Sequence, residues 1–314
     1  MRHFLKETDL SCDEVAAVFA SAASLKQGRG RLTPTPLDRR SWGLLFFKKS
    51  TRTRVSFQVG VHELGGQPVM LSADEMQLSR GESVADSARV LSRYLHGMVI
   101  RCYSHETLED FVKHGTVPVV NALSDFLHPC QLYTDFFTLA ERWSEGEVSK
   151  MAACLRGRKI AFLGDTACNV ANSYVLGCAH MGIELALSGP KGFEPSAEIL
   201  EQLKKDGLKP TFTFTTNPEE AVRGADMVTT DVWVSMGMEA EKAERLRLMQ
   251  PYQVNAALMK LAKPDAYFMH CLPAHPGEEV SLEVLEGPRS IVFDQAENRL
   301  HVQKAILSHL VAAR

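Results

Sequence analysis

Three hydroxyl groups and two guanidinium groups stand together in one short stretch of this chain, formed by Ser50, Thr51, Arg52, Thr53 and Arg54. The apolar run 42–47 before them predicts a buried strand, and the residues after them predict a helix with Ser50 as its N-cap. The first turn of a helix offers backbone N–H groups and partial positive charge, and an arginine fork fits phosphate in a bidentate manner. The stretch therefore predicts a phosphate site. The alternative is a capped surface helix with two solvated arginines.

Polar side chains also follow other strand-like runs of the first half. Arg101 follows the apolar run 98–100 and either reaches out to solvent or faces a ligand. His128 and Gln131 would flank the start of a helix that has Pro129 at its first position. There they could donate hydrogen bonds to a carbonyl or phosphate group, although His128 could also serve only as a cap.

The second half carries a different set of side chains at its strand ends. Gly164 is the only glycine where a dinucleotide fingerprint needs three, which argues against a nicotinamide cofactor. Asn169, which opens the next helix, could instead bind a carboxylate or amide of a small substrate. Asp231 follows the run 226–230 and is positioned to meet a cationic amine, or else it is a capping or surface aspartate.

Cys271 stands where the predicted strand 266–271 ends, just before Pro273. It could be a nucleophile, a proton acceptor, a metal ligand or filler. His270, Cys271 and His275 could supply three zinc ligands, but neighbours on a strand point to opposite faces, so we expect no metal site here. Arg299 lies on a C-terminal helix predicted from 296 to about 312, as an anion contact or a plain helix charge.

Composition limits the class of protein. A chain of 314 residues predicts two domains of about 150 residues each. The net charge of −3 gives no support for a nucleic-acid or membrane-surface partner, so any anion site must be a local concentration of positive charge.

Membrane and secretory signals are not found in the sequence. No apolar stretch approaches the roughly 20 residues that cross a bilayer, and the first residues do not form a secretory h-region. Seven cysteines without C-x-x-C spacing argue against a disulfide framework and favour a reducing compartment. We therefore expect a cytoplasmic protein.

Strand-like runs alternate with helical patterns along the whole chain, which predicts α/β domains with parallel sheets flanked by helices. A polar, glycine-containing segment at 144–150 is a plausible boundary between two such domains. Ligands of open parallel sheets bind at the carboxyl ends of the strands. The candidate strands are 42–47, 68–72, 97–102, 118–121, 159–163, 184–188, 211–215, 226–231, 266–271 and 290–293.

Taken together, four segments resemble the aspartate/ornithine carbamoyltransferase family in order and approximate spacing: STRTR at 50–54, HPCQ at 128–131, DVWVSMG at 231–237 and HCLPAH at 270–275. The stretch 77–94 matches as well, so the resemblance covers nearly the whole chain. The Ser-Met-Gly and His-Cys-Leu-Pro segments favour ornithine as the acceptor. Two departures, Cys168 where the family usually has asparagine and Pro276 where arginine is common, leave acetylornithine, succinylornithine or putrescine as alternatives.

The resemblance implies an enzyme with two α/β domains and an active site in the cleft between them. Residues 1–143 would bind carbamoyl phosphate, with the C-terminal helix 295–314 packing back on them, and residues 144–294 would bind L-ornithine. The carbamoyl group would pass to the side-chain amine, giving L-citrulline and phosphate in arginine metabolism. No cofactor and no metal is implied. A homotrimer or an assembly of trimers with shared active sites is expected.

The resemblance also implies a role for each candidate residue. The catalytic residues would be Arg52, Arg101, His128, Asp231 and Cys271. Ornithine would be bound by Asn169, Asp231, Ser235 and Met236. Carbamoyl phosphate would be bound by Ser50, Thr51, Arg52, Thr53, Gln77 from a neighbouring subunit, Arg101, His128, Gln131, Cys271, Leu272 and Arg299.

Overall fold

The computed structural model describes residues 2–31, 34–76, 81–234 and 242–312. They form two compact units: unit 1 is Met1–Ala152 with Glu297–Arg314, and unit 2 is Ala153–Ala296. Each unit contains one parallel sheet with helices packed on it, which confirms the predicted two-domain α/β class. The functional boundaries expected from the sequence, and the place of the active site relative to the two units, stay predictions.

The sheet of unit 1 has the strand order β2-β1-β3-β4, with all neighbours parallel. Its strands are β1 (Ser41–Phe46), β2 (Gln67–Ser72), β3 (Gly97–Arg101) and β4 (Val119–Leu123). Its helices are α1 (Cys12–Gln27), α2 (Arg52–Glu63), α3 (Val84–Tyr94), α4 (Glu106–His114) and α5 (Pro129–Trp143). The chain continues from β1 to β2 on one side, whereas β3 lies on the other. The carboxyl ends of β1 and β3 therefore flank a topological switch point, where open sheets bind ligands.

Close packing fixes these two strands against each other. The indole of the fully buried Trp42 on β1 lies over Gly97 on β3, and a Cβ added at Gly97 would come within 2.6 Å of three ring carbons. Such a contact needs a glycine. The register pairs Phe46 with Arg101, so the segment before α2 and the side chain of Arg101 leave the sheet at the same level.

The sheet of unit 2 has the strand order β7-β6-β5-β8-β9, again parallel throughout. Its strands are β5 (Lys159–Leu163), β6 (Glu184–Ser188), β7 (Phe212–Thr215), β8 (Met227–Thr230) and β9 (Tyr267–His270). Its helices are α6 (Asn169–Met181), α7 (Ala197–Lys205), α8 (Pro218–Val222), α9 (Lys242–Met249), α10 (Ala256–Met259) and α11 (Leu282–Leu285). The last helix, α12 (Val292–Ala312), begins in unit 2 and belongs to unit 1 from Glu297 onwards. The switch point of this sheet lies at the carboxyl ends of β5 and β8.

The strand predicted at 290–293 is wrong. Ser290 forms only an isolated bridge with Phe268, and helix α12 begins at Val292, before its predicted start at 296. The apolar run that suggested a strand instead leads into the first turn of this helix, where Val292 is buried and Phe293 is exposed. Across the parts of the chain described above, no helix combines the length and apolar character of a membrane span.

Polar side chains of α12 are buried within unit 1 and bind it to the neighbouring helices. Asn298 donates to Thr138 Oγ1 at 3.0 Å and to Glu141 Oε2 at 2.7 Å, and it accepts from Lys26 Nζ at 2.8 Å. Lys304 Nζ lies 2.6 Å from a carboxylate oxygen of Glu63 at the end of α2. These bonds set the rotation of α12 about its axis.

Burial of His301 on α12 predicts a pH dependence of stability. Burial, together with the charges of Lys304, Lys26 and Arg29, lowers the pKa of His301 to about 4. Because the unfolded chain still takes up this proton near pH 6.5, the stability is complete above that pH and decreases as the pH falls towards 4. We expect this residue alone to reduce the free energy of unfolding by up to about 3 kcal/mol over that window.

Urea unfolding of wild type and His301→Phe at several pH values measures this contribution. Phenylalanine keeps the ring but cannot titrate, and within the described residues neither ring nitrogen of His301 has a hydrogen-bond partner to lose. The other histidines are common to both proteins, so the difference isolates His301. Equal pH slopes for the two proteins would contradict the burial of a neutral imidazole.

Candidate active site

The segment between β1 and α2 presents its hydroxyl groups differently from the prediction. The N-cap of α2 is Thr51 rather than Ser50, and the Thr51 side chain makes no capping hydrogen bond. The reason lies in the backbone, since Thr51 has helical angles (φ −83°, ψ −57°), whereas a capping residue is usually extended. Capping therefore does not explain this run of hydroxyls. Arg52 is the first residue of α2 and is half-buried, whereas Arg54 is exposed.

The buried hydroxyl of Thr53 is the point on which two guanidinium groups converge. Arg299 Nη2 donates to Thr53 Oγ1 at 2.5 Å, and Arg101 Nη1 donates to the same oxygen at 3.3 Å. Both arginines are buried, with relative exposures of 4% and 9%. Arg101 does not reach out to solvent, and Arg299 is not a surface charge of its helix.

A lysine adds to this concentration of positive charge. Burial and the nearby charge of Arg101 lower the pKa of Lys48, whose Nζ lies 4.2 Å from the centre of the Tyr103 ring. Neighbouring cations repel one another, and buried ones have given up part of their hydration. A bound anion would relieve both costs, so the start of α2 is suited to phosphate.

His128 lies beside these arginines as a neutral imidazole. It occupies the N-cap position of α5, but its side chain makes no capping hydrogen bond. Burial, and then the charges of Arg299 and Arg101, hold the pKa of His128 well below its ordinary value. A neutral ring keeps one N–H donor and can polarise a carbonyl group without adding another charge.

Gln131 presents an acceptor in the first turn of α5. Its Nε2 donates to Asp135 Oδ1 at 2.7 Å, which fixes the orientation of the amide. Its Oε1 is then buried and, among the described residues, has no hydrogen-bond partner. Leaving a buried acceptor unsatisfied costs about 1–3 kcal/mol, and a ligand that brings an N–H group would recover this energy.

In unit 2, the ends of β8 and β9 bring Asp231 and Cys271 together as a pair. The Cys271 thiol donates to Asp231 Oδ1 at 3.2 Å, and the same oxygen accepts from the backbone N–H of Val232 at 2.8 Å. The carboxylate is nearly buried and offers negative charge to a cationic amine, with a thiol beside it. The zinc ligands considered from the sequence do not converge here, because His270 faces Glu279 instead of Asp231.

The single glycine after β5 has a packing role. Gly164 has a φ of +105°, and a Cβ added there would lie 2.9 Å from Nε1 of the buried Trp233. Next to it, Asp165 Oδ2 accepts from Arg245 Nη1 at 2.8 Å. Burial is the main cause that raises the pKa of Asp165. The charge of Asp231 adds to this effect, whereas Arg245 opposes it. Sequence reasoning missed this pair because its members are 80 positions apart.

Comparison with known proteins identifies the family. Residues 2–141 match the family model described as "Aspartate/ornithine carbamoyltransferase, carbamoyl-P binding domain", and residues 156–310 match "Aspartate/ornithine carbamoyltransferase, Asp/Orn binding domain". The chain belongs to the aspartate/ornithine carbamoyltransferase family.

Relatives within this carbamoyltransferase family match nearly the whole chain. An ornithine carbamoyltransferase of Syntrophus aciditrophicus is 48% identical over 304 residues, covering 96% of this chain and 97% of the relative. The anabolic ornithine carbamoyltransferase of Pseudomonas aeruginosa is 46% identical over 312 residues, covering 99% of this chain and 97% of the relative. The solved ornithine carbamoyltransferase of Pyrococcus furiosus is similar with a TM-score of 0.89 and 41% identity, covering 100% of this chain and 98% of that one.

Of the residues that the carbamoyltransferase resemblance singled out, three lie outside the described part of the chain: Gln77, Ser235 and Met236. Their roles stay predictions. Asn169 is the first residue of α6 and is half-buried. Leu272 follows Cys271 with a φ of +59°, and Pro276 bridges to Val280 in the same loop.

The departure from the carbamoyltransferase pattern at Cys168 is accommodated at the start of α6. Cys168 is the N-cap, and its Sγ accepts a long hydrogen bond of 3.5 Å from the backbone N–H of Ala171. Burial, together with the charges of Asp165 and Asp231, raises the pKa of this thiol well above its ordinary value. The helix therefore keeps a cap, but a weak one.

Cys168→Asn should stabilise the protein by about 0.5–1 kcal/mol, because an amide oxygen caps a helix better than a thiol sulfur. The midpoint of urea unfolding measures the change. Cys12→Asn is the matched control, since Cys12 is exposed and stands inside the first turn of α1, where Ser11 already caps. A loss of stability in Cys168→Asn would show that the thiol does more than cap.

Proposed function

We propose that this chain transfers the carbamoyl group of carbamoyl phosphate to the side-chain amine of L-ornithine, giving L-citrulline and phosphate. The convergence of Arg101 and Arg299 on the hydroxyl of Thr53, beside a neutral His128, is the observation that carries the proposal. Family membership supports it, as do the many similar relatives that are named ornithine carbamoyltransferases.

In this proposal the phosphate group sits at the start of α2. Ser50, Thr51, Arg52 and Thr53 surround it, and Arg101 approaches from the end of β3. The phosphate gains charge as it leaves, and the guanidinium groups and the helix N-terminus stabilise that charge. Because the donors are held in place before the reaction, they need little reorganisation as the charge develops.

The carbamoyl group is assigned to His128, Gln131 and Arg299, with the backbone of Cys271 and Leu272. Its NH₂ group would satisfy the buried Oε1 of Gln131, while the neutral imidazole and the Arg299 guanidinium donate to its oxygen. Attack by an amine turns that oxygen into an oxyanion. Loss of one such donor costs about 3 kcal/mol of barrier.

Ornithine is assigned to Asn169, Asp231, Ser235 and Met236. Its side-chain amine has an unperturbed pKa near ~10.4 and is mostly charged at neutral pH, so it must lose a proton before it attacks. The hydrogen-bonded pair of Asp231 and Cys271 would orient this amine and help to relay its proton. Only the unprotonated nitrogen has the lone pair that forms the new C–N bond.

A different acceptor amine is the second candidate, and the observation that favours it is Cys168 at a position where an amide was expected. The assembly is proposed to be a homotrimer or an assembly of trimers, with Gln77 reaching into a neighbouring subunit's site. A cytoplasmic location is also proposed, supported by seven cysteines that form no disulfide.

Formation of the carbamoylated product from each of a panel of amines tests the proposed function. With carbamoyl phosphate as donor, ornithine should be carbamoylated, whereas acetylornithine, succinylornithine, putrescine and aspartate should react far more slowly. A preference for any of the other amines would replace ornithine in the proposal. If no amine is carbamoylated, the enzymatic assignment itself fails.

The phosphate assignment has its own test in the same assay. Arg52→Ala should lower kcat/KM by at least about 100-fold, because a charged donor to the leaving group is lost. Arg39→Ala is the control, since its side chain is 94% exposed and lies at the opposite end of β1. Retention of most of the activity by Arg52→Ala would remove Arg52 from the site.

A further inference from the structure

A buried pair of side chains lies behind the turn that carries Cys271. His270 and Glu279 are both fully buried, and His270 Nε2 lies 3.3 Å from Glu279 Oε1. The same carboxylate oxygen accepts from the backbone N–H of His275 at 2.6 Å. One carboxylate thus contacts both ends of the loop 271–274.

The second ring nitrogen of His270 binds the loop itself. His270 Nδ1 accepts from the backbone N–H of Leu272 at 2.9 Å, which assigns the ring proton to Nε2, on the side of Glu279. Leu272 has a φ of +59°, a left-handed conformation that costs a residue with a side chain about 1–2 kcal/mol. The imidazole bond compensates part of this cost and selects the conformation.

The strand that carries His270 is itself held in place. The backbone N–H of His270 donates to Oε1 of the buried Gln295 at 3.0 Å. The nearby imidazole of His270 and the backbone N–H of His275 outweigh the effect of burial and leave the pKa of Glu279 below its ordinary value. The charged carboxylate attracts the imidazole N–H at 3.3 Å, although the alignment is not that of a hydrogen bond.

We propose that His270 and Glu279 are positioning residues that fix the turn at Cys271 and Leu272, so that the thiol stays on Asp231. The inference rests on the proposed function, because it takes Cys271 and Leu272 as parts of the site. His270 and Glu279 act through these two residues and not on the substrates. The turn is then set before ornithine binds.

Two substitutions of His270 separate the hydrogen bond to Leu272 from the contact with Glu279. His270→Asn keeps an acceptor oxygen two bonds from Cβ, where Nδ1 stands, and loses the contact with Glu279. His270→Gln keeps a nitrogen donor at the position of Nε2 and loses the acceptor for Leu272. Glu279→Gln weakens the contact between the Glu279 side chain and the imidazole, and Glu279→Ala removes it.

The control is Asp226→Asn at the other end of the same sheet. Asp226 is a buried carboxylate before β8 that pairs with Arg158 and accepts from the backbone N–H of Lys159 at 2.9 Å. It should lose stability as the test variants do, without moving the turn.

Steady-state citrulline formation, well below each variant's melting temperature, gives the decisive readout. We expect His270→Gln and Glu279→Ala to lower kcat/KM for ornithine by about 10-fold to 100-fold, with a raised KM, because the site is displaced. His270→Asn and Glu279→Gln should retain more activity.

The affinity of these variants for inorganic phosphate, measured by calorimetry, should stay unchanged, as should the KM of Asp226→Asn for ornithine. A structural role alone would lower the apparent kcat with the folded fraction and leave KM unchanged, and that result would overturn the proposal.

Nitrogen-15 histidine NMR of the wild-type protein tests the turn even if the variants fail to fold. The His270 ring should appear as the neutral tautomer with its proton on Nε2, whereas a proton on Nδ1 would rule out the bond to Leu272 and the proposal with it. If the wild type forms no citrulline from ornithine, the proposed function fails separately from the turn geometry.

Discussion

The arrangement of unit 1 depends on two buried guanidinium groups that share one hydroxyl oxygen. Arg101 and Arg299 give up much of their hydration at Thr53, and burial of like charges in one place is unfavourable without an anion. The surrounding structure enforces this arrangement. Strand β3 delivers Arg101, and α12 delivers Arg299 from the far end of the sequence. The polar contacts of Asn298 and Lys304 hold α12 in the required rotation.

Unit 2 uses the same kind of sheet to present the opposite charge. Its switch point carries the carboxylates of Asp165 and Asp231, and Arg245 pairs with the first. Among the contacts described above, the Asp231 carboxylate accepts hydrogen bonds from the Cys271 thiol and from one backbone N–H. A positively charged environment suits an acyl phosphate, and a negatively charged one suits a cationic amine. Each sheet therefore presents, at the carboxyl ends of its central strands, the chemistry that one substrate needs.

Local patterns in the sequence predicted the parts of this account that depend on near neighbours. The alternation of strands and helices predicted the α/β fold class, and the positions of the strand ends predicted Arg101, Asp231 and Cys271 as site residues. Periodicity was wrong at 290–293, where an apolar run begins a helix, and cap preference chose Ser50 although the backbone makes Thr51 the cap. Contacts between distant positions were beyond such reasoning: Thr53 meets Arg299 across 246 positions, and Asp165 meets Arg245 across 80. His270 was considered as a metal ligand, because no local signal shows that it faces Glu279.

A crystal structure with bound carbamoyl phosphate, or with a phosphonate mimic of it, tests the central claim most directly. The account predicts the phosphate at the first turn of α2, within hydrogen-bond distance of Thr53 and Arg101, and the carbamoyl NH₂ on Oε1 of Gln131. A phosphate bound elsewhere, or a first turn of α2 closed by the protein's own side chains at saturating ligand, would contradict it.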